Sequence, residues 1–137
     1  MTTPPELLTA AATFTKPLYT ITIPGEPVPK KRPRFDGRRA FTTRDDHNAE
    51  AHTGWHLAQA IPQPLTGNLA VACVFYRSTR RPVDADNLIK HVMDAGNGIA
   101  WRDDSQCTAE FGVIELDRTN PRTTILIARH NSTLKRR

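Results

Sequence analysis

Cysteine is scarce in this chain: its 137 residues include two, Cys73 and Cys107, with no Cys-x-x-Cys spacing. That excludes a disulfide-stapled scaffold, a cysteine zinc site and a dithiol redox centre, and predicts two reduced, small, buried residues. Long apolar runs are also missing. None approaches the roughly 20 residues of a membrane-spanning helix, and residues 1–12 have neither the cationic start nor the apolar centre of a secretory signal peptide. A soluble, cytoplasmic protein is therefore expected. His52 and His56 stand at i, i+4, but Thr53 occupies the position where a zinc protease carries its glutamate, which leaves no histidine metal motif. There is no internal repeat and no interdomain linker, so the length predicts one domain with a single core.

What the chain has in excess is positive charge. The formal net charge is +5 and the sequence pI is about 9.7, a balance that favours a polyanionic partner such as a phosphate backbone. Against that background, carboxylates crowd into one stretch: Asp84-Ala85-Asp86-Asn87-Leu88-Ile89-Lys90, then Asp94, then Asp103-Asp104. Carboxylates gathered at one point repel one another. A hard divalent cation relieves that repulsion, taking oxygen ligands while keeping waters for chemistry.

Hydrophobic patterning places this stretch within a fold. Residues 18–23 alternate at period two and end at Pro24-Gly25, as a strand running into a turn does. A proline-stiffened basic loop follows through residues 27–39, with a short strand at 40–42. A helix is predicted from Thr43 or Asp45 to about Gln59, with Trp55 and Leu57 on its inner side and Pro62 and Pro64 beyond its end. Residues 69–76 form an unbroken apolar, β-branched run, which predicts a central strand buried on both faces. Asp86 is the expected N-cap of a helix reaching about Ala95, with Leu88, Ile89, Val92 and Met93 on one side and Asp86, Lys90 and Asp94 on the other. Gly96-Asn97-Gly98 ends it. Strands at 113–116 and 123–128 are expected to pair as a hairpin through Asn120-Pro121. The prediction is an α+β fold: one small domain with a sheet of about four or five strands packed by two main helices, in the order β-(β)-α-β-α-β-β. Residues 1–17 read as a flexible leader, 18–130 as the folded domain and 131–137 as a basic tail.

Asp84 and Asp86, two apart in an extended approach, would face one ion, with Lys90 alongside. Asp103 and Asp104 could fold back as further ligands. A plainer reading has Asp86 capping the helix and pairing with Lys90 while Asp103 and Asp104 are solvated. A calcium loop is excluded, because Ile89 stands where its glycine should be and Ala95 where its bidentate glutamate should be. The basic loop, alone, could be a solvated charge run. Beside a metal site it becomes a surface that offsets the charge of a phosphate backbone. Phe35 and Trp101 are expected in core packing rather than base stacking.

These residues resemble the RusA-type Holliday junction resolvases. Asp84 to Lys90 with Asp94, followed by Trp101-Arg102-Asp103-Asp104-Ser105-Gln106, is similar to the family's D-x-D-N-x-x-K, D and D-D-x-Q signature, and the opening strand and the Pro-Val-Pro-Lys-Lys-Arg loop fit as well. The resemblance covers about residues 18–128. It implies a homodimeric, Mg²⁺-dependent endodeoxyribonuclease, with Mn²⁺ as a substitute and no nucleotide cofactor, acting on branched DNA in recombination and repair in a bacterial or phage-infected cell. Its metal-binding aspartates fall on Asp84, Asp86 and Asp104, and its catalytic lysine on Lys90. Asp103 is either a second ligand or an orienting residue. The DNA face is expected to carry Lys30, Lys31, Arg32, Arg34, Arg38, Arg39, Arg80 and Arg81. Ala95-Gly96, smaller than the family pattern, is expected to shorten the helix or loosen the dimer. A less selective structure-specific nuclease and a non-catalytic basic DNA-binding protein are the rival readings.

Overall fold

The protein is described here by a computed structural model covering residues 3–12, 16–30, 34–35, 40–41 and 44–134. The fold is α+β. The apolar run forms β4 (Leu69–Arg77), and it takes the interior of a four-stranded sheet in the order β1-β6-β4-β5, with β1 at Tyr19–Pro24, β5 at Cys107–Leu116 and β6 at Arg122–Arg129. β6 runs antiparallel to both β1 and β4, whereas β5 runs parallel to β4. A short ribbon pairs β2 (Arg34–Phe35) with β3 (Ala40–Phe41).

Alternation decides which sheet face is covered. Ile21 and Ile23 of β1, Val71, Cys73 and Phe75 of β4, and Ile125 and Ile127 of β6 are all buried. They meet α2 (Arg44–Ala60) and α3 (Ala85–Gly96), which pack together and against the sheet through Leu57, Leu88, Val92 and Met93. Trp55, expected on the inner side of α2, is instead exposed, and Thr53, Gly54 and Leu57 fill that side. A further helix, α1 (Pro4–Ala12), occupies part of the expected leader, with a proline at its start, where the missing N–H costs nothing. No helix among the described residues is long and apolar enough to cross a membrane.

The expected hairpin between residues 113–116 and 123–128 does not form. β4 lies between the two strands and pairs with both. Because α3 carries the chain back along the sheet, β5 enters parallel to β4, and residues 117–121 then cross over the end of β4 to reach β6. Five residues can reach about 16 Å, and stepping over one strand needs about 10 Å. Asp117 organises that crossing. Its N–H donates to Arg77 O at 2.7 Å, and its carboxylate accepts from Thr119 N, Asn120 N and Arg122 Nη1 at 3.2, 3.1 and 2.9 Å. The Arg122 pairing, followed by those backbone donors, holds the Asp117 carboxyl below the usual carboxylate range.

The turn after α3 seats the core tryptophan. Trp101 is fully buried and donates from Nε1 to Met93 O at 3.3 Å. Its indole lies across Gly96, where an added Cβ would stand 2.4 Å from Cζ2. Gly96 therefore does not shorten the helix, which runs through it and is capped at Asn97. Only Gly98, at φ +79°, uses the left-handed region in this turn. Gly96→Val is expected to destabilise the fold by about 3 kcal/mol through overpacking, measured as a lowered urea midpoint with an unchanged slope.

Candidate active site

The loop leaving β4 delivers the chain to α3 at Asp84, not at Asp86. Asp84 keeps extended angles (φ −83°, ψ 127°) as the N-cap, yet its side chain makes no capping bond. The reading of Asp86 as cap is two residues late, because helical geometry begins directly after the extended Asp84, at Ala85. Asp84 Oδ2 accepts only a long 3.4 Å bond from Asn87 Nδ2. Asp86 sits in the first helical turn, where the helix dipole favours a carboxylate, and its Oδ1 accepts from Asn87 N at 3.0 Å.

The second acidic motif is fastened by its own residues. Asp103 caps a 3₁₀ turn at Asp104–Gln106, accepting from Ser105 N at 3.1 Å and from the Ser105 hydroxyl. Gln106 Oε1 accepts from Arg102 N and Asp103 N at 2.9 and 3.3 Å, while its Nε2 donates to Leu65 O and Gly67 O at 2.9 and 3.1 Å. Asp103 is thereby spent on holding the turn, and Asp104 is left facing α3.

Between these elements lies an open recess of about 280 Å³, lined by Asp86, Ile89, Lys90 and Met93 of α3, Asp104, and Glu110 of β5. Lys90 Nζ lies 3.1 Å from Asp94 Oδ1 and 4.0 Å from Asp104 Oδ2, with the side chain more than half exposed. The plainer reading, which paired Lys90 with Asp86, gives way to these two contacts. The bond to Asp94, reinforced by that carboxylate's charge, raises the Lys90 pKa. Glu110, absent from the sequence expectation, has its carboxyl pushed up by burial and then by the charge of Asp104. It went unnoticed because it lies in no acidic motif. No sequence signal marks it: its place follows from the β4–β5 register, which sets it opposite buried Val71 on the face that meets α3. That face also brings Ile89 against Gly112, where an added Cβ would stand 2.6 Å from Ile89 Cδ1, so the glycine lets α3 settle close to β5.

The remaining expected residues fall into three groups. Arg80 and Arg81 are exposed and line a separate recess of about 240 Å³ with Arg77, Thr79 and the 114–116 end of β5. Lys30 is tied down: it pairs with Glu50 of α2, lies 3.1 Å from Asp94 Oδ2, and donates its backbone N–H to Asn87 O at 2.8 Å. Lys31, Arg32, Arg38 and Arg39 lie outside the described residues, as does the side chain of Arg34. Both cysteines are free, Cys73 buried and Cys107 partly buried, and burial pushes each thiol up to about 12. They are inert at neutral pH.

Comparison with protein families matches residues 24–128 to endodeoxyribonuclease RusA. The chain belongs to the RusA family. No curated protein matches it. The RusA match runs from the last residue of β1 to the penultimate residue of β6 and includes every residue lining the acidic recess. Among the described residues, no three His, Cys, Asp or Glu side chains stand close enough together to hold a metal ion as they are placed, the carboxylates of the recess included. The donor set nevertheless suits a hard cation. Asp86, Asp104 and Glu110 offer oxygens only, Asp104 and Glu110 repel each other, and the recess is open enough to keep waters.

Proposed function

We propose that this RusA-family protein cuts branched DNA, resolving four-way junctions by paired, symmetric phosphodiester hydrolysis that depends on Mg²⁺ or Mn²⁺. The observation that carries the reading is the joint lining of one open recess by Asp86, Asp104, Glu110 and Lys90. In this reading Asp86, Asp104 and Glu110 would hold the cation, with Asp84 at the adjacent helix start and Asp103 orienting the turn. A divalent cation bound there supplies Lewis-acid polarisation and a water of lowered pKa. Lys90 serves as a cation rather than a base, because its raised pKa keeps the ammonium protonated, and it donates to phosphate oxygens as their charge grows. The exposed Arg80 and Arg81 neutralise flanking phosphates.

Two nicks on related strands call for two sites related by a twofold axis. The sheet face opposite α2 and α3 is suited to such an interface: Ala72 and Val74 of β4 lie beside Leu126 and Thr124 of β6 and Phe111 and Val113 of β5, and most of these side chains keep partial exposure. Two copies stacked through this face would bury it from both sides. Val113, about half exposed, tests this without disturbing the core. Val113→Glu is expected to weaken the dimer by roughly a hundredfold, since each interface would bury the new charge twice, and to convert paired nicks into single ones. Sedimentation equilibrium provides the measurement; a wild-type protein that stays monomeric on bound junction would refute the dimer.

The function itself is tested by incubating the protein with a labelled mobile junction, a matched duplex and a flap, with and without Mg²⁺. Paired nicks confined to the junction and requiring the metal are expected. Equal cutting of all three substrates would leave a less selective nuclease, and binding without cutting in either metal would leave a DNA-binding protein.

A further inference from the structure

Lys90 is the outer end of a run of alternating charges that passes beneath the recess. Asp94 offers one oxygen to each of two lysines, Oδ1 to Lys90 and Oδ2 to Lys30, at 3.1 Å in both cases. Lys30 in turn pairs with Glu50 of α2. Lys90 stands apart from the rest of the run: its side chain is 56% exposed, against 18% for Asp94, 24% for Lys30 and 25% for Glu50. Only Lys90 can reach a substrate freely. The other three are held by each other and by the backbone bond from Lys30 N to Asn87 O, which pins the loop to the first turn of α3.

Charge counting gives the arrangement its meaning. Glu50, Asp94, Lys30 and Lys90 sum to zero, so the run does not use up the negative charge of Asp86, Asp104 and Glu110. Were Asp94 neutral, Lys30 and Lys90 would repel each other, and Lys90, already 4.0 Å from Asp104, would turn onto that carboxylate and compete with a cation for it. Were Lys30 absent, both Asp94 oxygens would be free to draw Lys90 inward, away from the recess. Burial alone would lower the Lys30 pKa, but the Glu50 and Asp94 carboxylates together outweigh it and raise it, so the inner lysine stays charged.

We propose that Lys30, Asp94 and Glu50 are positioning residues that hold the Lys90 ammonium at the rim of the recess, and that Lys30 acts there rather than as a contact to DNA. This rests on the nuclease reading of the recess. It also ties the rigid start of the basic loop to the chemistry, since Lys30 belongs to both.

The test uses the full chain with Lys30→Met, Asp94→Asn, Glu50→Gln and the Lys30→Met/Asp94→Asn double variant. Single-turnover cleavage of a four-way junction is measured at saturating protein in Mg²⁺, and junction affinity is measured against salt without divalent cation. Lys30→Met and Asp94→Asn are expected to lower the saturated rate by at least about tenfold with affinity within about twofold and an unchanged salt slope, and the double variant is expected to be no slower than the slower single one. Lys30→Arg should recover part of the rate. If Lys30→Met instead weakens binding, reduces the salt slope by about one and leaves the saturated rate intact, Lys30 is a phosphate contact and the proposal fails. It fails equally if folded variants cut at the wild-type rate. Glu50→Gln, which removes only the partner farthest from Lys90, keeps the test open should a harsher variant not fold. If the wild-type protein cuts no DNA, the nuclease reading falls, and the ¹⁵N signal of the Lys90 side chain decides the rest: a shift in Lys30→Met upholds the coupling, and no shift overturns it.

Discussion

Replacing Asp104 with asparagine is expected to slow junction cleavage by on the order of 10³-fold or more while leaving junction affinity within about twofold. The substitution keeps the shape of the side chain and removes one negative charge from a recess whose other carboxylates are Asp86 and Glu110. Its structural cost is small. Asp104 is about one-third exposed, its closest cation is Lys90 at 4.0 Å, and the turn that carries it is held by Asp103 and Gln106. An ion pair of that length and exposure is worth about 0–1 kcal/mol, so the thermal midpoint should barely move. The loss would fall on the rate because a cation held by one carboxylate fewer would be bound less tightly and placed less accurately. The checking measurements are a single-turnover rate over a range of Mg²⁺ concentrations and a gel-shift affinity without metal. Asp86→Asn should behave alike. A variant at either position that cuts at the normal rate would remove that residue from the site.

Lys90→Met is expected to lower the saturated cleavage rate by about 10²–10³-fold, the usual cost of losing one cationic donor aimed at developing charge. Methionine keeps most of the length and apolar stem of lysine, so contacts along α3 survive. Binding should weaken far less than the rate, because a single phosphate contact among many changes affinity modestly. Lys90→Arg separates charge from shape. A guanidinium keeps the charge but spreads it over a planar fork, and only slight recovery is expected where a compact ammonium fits between Asp94 and Asp104. Full activity in Lys90→Met would show that the lysine only balances charge. The rate should fall by a similar factor across the neutral pH range, since an ammonium with a raised pKa does not titrate there.

Much of the fold was legible because local patterns and tertiary roles agree. The unbroken run at 69–76 became the interior strand β4, the period-two segment at 18–23 became β1, and the apolar side of α3 became its buried side. The acidic motifs were legible for the same reason: Asp86 and Lys90 stand one helical turn apart, and Asp103 and Gln106 serve the very turn they compose. What escaped was every feature that depends on which distant segment arrives alongside. Strands 113–116 and 123–128 carry similar apolar alternation, which is the same whether they pair with each other or with a strand between them.

The sequence by itself determined the family and the local form of its two acidic motifs, with Asp84, Asp86 and Lys90 in one and Asp104 in the other, because those spacings act within one helix and one turn. Only the tertiary structure decided which side chains line the recess and which lie beneath it. It brought Glu110 in from β5 through its register with Val71, placed Lys30 beneath Lys90 through Asp94 and Glu50, and withdrew Asp103 into a cap. Side-chain partners across elements follow from register and helix docking, and those are settled by packing the whole core at once. Gly112 against Ile89 shows it most plainly, since only the docking of α3 on β5 brings the two together.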